Sequence, residues 1–172
     1  MLAGLLAAGL FAAAPAAAQV SESVVKAAFL PRFARYVTWP AEAAPKGDAP
    51  VYLCVIGSDP FGAALDDAAG SQSIDGHRVV VRRLPSVAGA GNCQIAFIHG
   101  AAGQPVGASL AALGRRPILT VTDARGGSQR GIIHFVVRDG RVRFYIDEAQ
   151  ASAHGLAVSS RLLTLAVGVK QR

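Results

Sequence analysis

The 172-residue sequence is poor in the residues that staple small folds or build metal sites. It has only two cysteines, Cys54 and Cys93, which excludes a zinc ribbon, an iron–sulfur site and a disulfide-dense mini-fold. No two of its four histidines, His77, His99, His134 and His154, stand two, three or four residues apart, so no bound metal is expected. The run Gly57-Ser58-Asp59-Pro60-Phe61-Gly62 has glycine at its first and sixth positions only. It is therefore not a dinucleotide fingerprint, and with no Walker lysine present, no cofactor is expected. No Gly-x-Ser-x-Gly elbow surrounds Ser58. No period of 20 to 50 residues repeats, which excludes solenoids and propellers.

Acidic residues are also scarce: 11 against 17 basic, a formal charge of +6, with 14 of the basic residues arginine. The basic residues stand singly or in short groups, as in Arg82-Arg83, Arg115-Arg116, and Arg141 with Arg143. No basic stripe interleaved with aromatics appears, so nucleic acid is not an expected partner. Solvated surface charge is the reading adopted, with an anionic membrane surface or an acidic partner behind it.

Apolar residues make up 52% of the chain, which excludes a disordered one. They are concentrated at the front, where Met1 to Ala14 carries no charge and Pro15 and Ala16-Ala17-Ala18 follow. This reads as the apolar part of a secretory signal with a small-residue cleavage site. The cut is placed after Ala18, leaving residues 19–172 as one exported domain. A membrane anchor would favour leucine and isoleucine over this alanine- and glycine-rich run. No lysine or arginine precedes the run. Export puts Cys54 and Cys93 in an oxidising compartment, where an even pair forms a bridge or remains as two buried thiols. A bridge would close a loop of about 40 residues, worth about 3–4 kcal/mol in the chain-entropy model.

Apolar spacing at Val25, Phe29, Phe33, Tyr36 and Val37 predicts a helix across Ser23 to Trp39, with a kink at Pro31. Ala41 to Pro50 is a loop rich in breakers. Continuous apolar runs predict strands at Val51–Ile56, His77–Leu84, Gln94–Ile98 and Pro117–Thr122. Helices are expected after Asp59-Pro60, at Val106–Leu113, from Asp147 through Ala153, and at Leu162–Val167. Arg138-Asp139-Gly140-Arg141 joins Ile132–Val137 to Val142–Ile146 as a hairpin. The expected fold is α/β: a mostly parallel sheet of about five to six strands with an antiparallel C-terminal hairpin, flanked by helices.

Ligands of open parallel sheets sit beyond the carboxyl ends of the strands. Ser58, Asp59, His99 and Asp123 fall there, the candidate crevice for a small-molecule ligand. Each also has a plain reading, as a cap, a turn or a strand terminus, and no catalytic residue is assigned. Hydrolysis would require Ser58 and His99 within hydrogen-bond reach. Phe29, Phe33, Tyr36 and Trp39 are candidates for a partner surface, or else core. His134, in an alternating strand, is expected half-exposed.

The stretch Val25-Lys-Ala-Ala-Phe-Leu-Pro-Arg-Phe-Ala-Arg-Tyr-Val-Thr-Trp-Pro40 resembles the opening helix of the YfiR family of small exported proteins. Leu53-Cys-Val-Ile-Gly-Ser-Asp-Pro-Phe-Gly62, Arg82-Arg83, the Cys93 strand, Ile118-Leu-Thr-Val-Thr-Asp123, Ile132-Ile-His-Phe-Val136, Val142-Arg-Phe144 and Gly155-Leu-Ala-Val-Ser-Ser160 follow in family order. The resemblance implies a periplasmic α/β protein without known catalytic activity. Its partner would be the periplasmic domain of an inner-membrane diguanylate cyclase or sensor kinase, restrained so that cyclic di-GMP and biofilm formation stay low. A homodimer is compatible with the resemblance. Cys54 and Cys93 fall where the family has a disulfide. The family namesake's second cysteine pair has no counterpart around Ser128, so switching by a second bridge does not carry over. Pro31 and Arg32 stand where many relatives carry tyrosine and asparagine.

Overall fold

The computed structural model describes residues 21–100 and 103–171. The expected leader, residues 1–18, lies outside them. Ser21 caps the first helix, α1 (Glu22–Phe33), by accepting a hydrogen bond from the Val24 amide, and Glu22 in the first turn complements the helix dipole. The helix runs on through Pro31, which sits in its last turn. A proline there removes a single backbone bond, and from Ala34 to Tyr36 the chain tightens into a 3-10 turn. The expected helix to Trp39 is thus shorter. Val37–Thr38 is a strand, β1, paired antiparallel with β9 (Ala157–Val158).

The main sheet is built from β2 (Val51–Gly57), β3 (Ser73–Ile74), β4 (His77–Leu84), β5 (Ile95–Gly100), β6 (Leu119–Asp123), β7 (Ile133–Arg138), β8 (Arg141–Asp147) and β10 (Gly168–Lys170). Its order is β10-β8-β7-β6-β5-β2-β4-β3. The pairs among β4, β2, β5, β6 and β7 are parallel, whereas β7 with β8 and β3 with β4 are antiparallel. The sheet is mostly parallel with an antiparallel C-terminal hairpin, as expected, but has eight strands among the described residues. The extra ones, β3 and β10, are two and three residues long and lie at the sheet edges. Between the strands lie α2 (Ala63–Gly70), α3 (Val106–Leu113), α4 (Glu148–Ala153) and α5 (Ser160–Leu163). The last expected helix therefore stops at Leu163, and the chain reaches β10 instead.

Side chains alternate across the strands. Leu53, Val55, Phe97, Val121, Phe135 and Phe144 join the core under α1, α2, α4 and α5. Cys54, Ile56, Ala96 and Ile98 face the other way, against α3 and the 3-10 segment Val87–Asn92. Cys54 and Cys93 are disulfide-bonded within that second core. Burial on both faces is why β2 reads as an unbroken apolar run.

Past β6 the second face turns polar. On β7 and β8 it carries His134, Val136, Arg138, Arg141, Arg143 and Tyr145. His134 is buried, not half-exposed. Its Nδ1 lies 2.9 Å from the Thr122 hydroxyl, and Tyr145 stands opposite on β8. Burial, with Arg130 nearby, pushes its pKa below the ordinary 6.5. The turn between β7 and β8 has positive φ at both Asp139 (51°) and Gly140 (69°), the two-residue geometry that matches strand twist.

Candidate functional site

Read in chain order, the five parallel strands β2, β4, β5, β6 and β7 lie in the order 2-1-3-4-5. The progression reverses between β2 and β5, where such sheets collect ligands. Here that crevice is stitched shut. The Ser58 amide and hydroxyl both donate to the Gly100 carbonyl, at 3.2 and 3.0 Å. A Cβ on Gly57 would stand 2.5 Å from that same oxygen, and φ is +90° there, so only glycine fits. Asp59 is also occupied: it accepts from the Phe61 amide at 2.8 Å and from Arg83 Nε at 2.7 Å. Hydrogen bonds from Arg83 to Asp66 complete this surface cluster and hold the Asp66 carboxyl below its usual range. Asp59 thus shapes the turn before α2, which starts at Ala63 without a side-chain cap.

The opening lies one step along the sheet, between the start of α1 and the ends of β5 and β6. It is a cavity of about 360 Å³ whose walls include Lys26, Phe61, His99, Asp123 and Arg125. Of the four crevice candidates, the structure brings His99 and Asp123 here; Ser58 and Asp59 face other partners. Lys26, a residue whose importance the sequence reading missed, is the centre of the site. It is 2% exposed, and its ammonium contacts Asp123 Oδ2 at 2.5 Å and the Glu22 carboxylate one helical turn back. Glu22 also takes two bonds from Arg125, at 3.1 and 2.5 Å, and the Arg125 amide donates to Asp123 Oδ1. Burial pushes the Glu22 carboxyl up, but Lys26 and Arg125 together outweigh it and leave it below its usual value of 4.5. Two carboxylates and two cations thus close a neutral network that ties α1 to β6.

The His99 ring stacks on Phe97, with centroids 5.9 Å apart, and its shielded Nδ1 has no hydrogen-bond partner among the described residues. The site can offer a small polar molecule donors and acceptors beside the Phe61 ring. No group of three metal-ligating side chains occurs among the described residues.

The four candidate aromatics do not form one surface. Phe33 is 1% exposed and packs edge-on against Phe144. Phe29 is half-buried and faces a groove beside the β7–β8 hairpin. The helix ends before Tyr36 and Trp39, which leave its register. Trp39 Nε1 donates to the Gln94 carbonyl at the far end of the sheet.

The YfiR/HmsC-like family profile matches residues 23–167. The chain belongs to the YfiR/HmsC-like family. The match runs from the first turn of α1 to the residue before β10, so Lys26, Asp123 and Arg125 of the network and the whole hairpin lie within the YfiR/HmsC-like region, and Glu22 lies one residue before it. No curated protein matches the chain.

Proposed function

We propose that this chain works in the periplasm as a regulatory binding protein. It holds the periplasmic sensor part of an inner-membrane diguanylate cyclase in an inactive state. The observation that carries this reading is the YfiR/HmsC-like match over nearly the whole described chain. The engagement of Ser58, Asp59 and Asp123 in turns and ion pairs supports a binding role over a catalytic one. Restraint requires preferential binding to one state of the target, and a few kcal/mol of preference shifts its output strongly. Among the described residues no helix is long and apolar enough to cross a membrane. In this reading export depends on the cleaved leader.

The test is genetic and chemical together. Deleting the gene raises cellular cyclic di-GMP, and restoring the chain with its leader lowers it again. Unchanged cyclic di-GMP in the deletion strain overturns the proposal.

The cavity at Lys26 and His99 favours a second reading, a sensor that binds a small polar ligand and reports to a histidine kinase or another membrane sensor. A thermal-shift screen of residues 19–172 against nucleotides, amino acids and inorganic anions tests it. A ligand whose stabilising effect is lost in Arg125→Ala supports this reading, and a screen without a shift overturns it.

A further inference from the structure

The tip of the β7–β8 hairpin carries charges that work against the fold. Arg138 and Arg141 stand directly opposite each other across the ladder, and Arg143 follows on the same face of β8. All three are exposed, and among the described residues no ion pair forms at any of them; Arg138 alone is engaged, donating to the Tyr145 hydroxyl and lying over its ring. Like charges directly opposed across strands destabilise a sheet.

The opposite face of the same tip borders a groove of about 550 Å³, with Val25, Phe29, Val137 and Val142 along it and Ser21, Glu22, Arg141 and Arg143 also in its wall. Val137 is 47% exposed there.

Between the two faces runs a strand edge that is unpaired near the turn among the described residues. β10 pairs with β8 only from Tyr145 onward, and the Phe144 carbonyl accepts from Val167. Residues of an antiparallel ladder alternate in turning their backbone groups toward and away from the neighbour. Arg141 pairs with Arg138 beside the turn, so Val142, like Phe144, presents its N–H and C=O outward.

An added strand would meet all three features at once. Its backbone would bond Val142, its alternate side chains would enter the groove on one face, and the remainder would meet the arginines on the other. We infer that this edge seats an extended segment of the signalling partner in which apolar and acidic residues alternate. The inference rests on the regulatory reading above and names the surface and the chemistry through which it acts. The arginine cluster selects an acidic segment, and the groove selects a protein chain over a flat lipid surface.

The experiment is amide hydrogen exchange on residues 19–172, alone and with the purified periplasmic part of the cell's membrane-bound diguanylate cyclase. It is paired with calorimetric affinities for the wild type, Arg141→Glu/Arg143→Glu and the control Arg115→Glu/Arg116→Glu, whose arginines precede β6 at the other end of the sheet. The expected result is new protection of the Val142 amide in the complex. Affinity falls at least tenfold in the hairpin variant and is unchanged in the control. Binding by the wild type with Val142 unprotected, or equal affinity in the hairpin variant, overturns the inference and leaves the regulatory reading standing. No binding by the wild type removes both. Concentration-dependent protection of Val142 in the isolated chain, which assigns the edge to a second copy, overturns it. So does protection produced by anionic phosphatidylglycerol vesicles and not by the cyclase segment.

Discussion

The beginning of α1 and the tip of the β7–β8 hairpin lie at the same end of the sheet and use charge in opposite ways. At α1, Lys26, Glu22, Asp123 and Arg125 are each held by a counter-charge, with Lys26 and Asp123 almost wholly buried. At the hairpin, Arg138 and Arg141 face each other in solvent. The first arrangement anchors the helix that covers the main core. In the second, Arg138 reaches the Tyr145 hydroxyl and lies over its ring, but neither arginine meets a counter-charge among the described residues, and the use of the pair lies in what it can attract. Charge count alone, +6 for the chain, hides this division.

The largest effect should come from breaking the anchored side. Lys26→Met leaves Asp123 buried beside no ammonium, and loss of one partner of a buried pair costs about 3–5 kcal/mol. Denaturant unfolding of residues 19–172 should show that loss, and a cost below about 1 kcal/mol would mean that the network does not anchor α1. The disulfide offers the next contrast, since it fixes the second core far from either charged region. Reduction, or the Cys54→Ala/Cys93→Ala variant, should cost about 2–4 kcal/mol, with affinity for the partner unchanged in the fraction that remains folded.

Acidification separates the groups by their titration. His134 lies below its ordinary 6.5 in the fold, so its contribution is complete above that value and is lost as pH falls toward the folded pKa. Glu22 lies below 4.5, so its contribution is complete above 4.5 and is lost as pH drops through its lower folded value. The thermal midpoint should therefore decline first below about pH 6.5 and again below about pH 4.5. His134→Gln should remove the first limb only, and a profile identical to the wild type would refute that assignment. The smallest effect belongs to the hairpin. Arg141→Thr removes the opposed like charge and should stabilise the free chain by a few tenths of a kcal/mol, read as a slightly higher denaturant midpoint. A clear loss of stability would show that Arg141 serves the fold.

Much of this architecture was legible in local signals. Continuous apolar runs mark strands buried on both faces, as at Val51–Gly57, and Asp139-Gly140 marks the hairpin because both residues tolerate positive φ. The elements that escaped are short and owe their existence to a distant neighbour. β1 exists because Val158 and Ala157 pair with it, and β10 because β8 offers an edge. Proline at position 31 predicts a kink, and the helix carries it two residues from its end, where it removes a single backbone bond.

The site was half-legible for the same reason. His99 and Asp123 are strand termini and could be placed from the sequence. Lys26 lies off the apolar stripe and looks like a solvated residue until Asp123, 97 positions away, is seen beside it. The Glu22–Lys26 spacing of four was the one local hint. Ser58 could not be excluded from a crevice by sequence, because its engagement depends on where Gly100 passes.

Restraint of the cyclase acts across a membrane, so it is best read in a two-sided assay. The membrane-bound cyclase is reconstituted in vesicles with its catalytic side outward, and the mature chain is enclosed on the periplasmic side. Micromolar chain is expected to lower the rate of cyclic di-GMP synthesis several-fold, and Arg141→Glu/Arg143→Glu to restore it. A rate indifferent to the enclosed chain would mean that the protein does not restrain the cyclase.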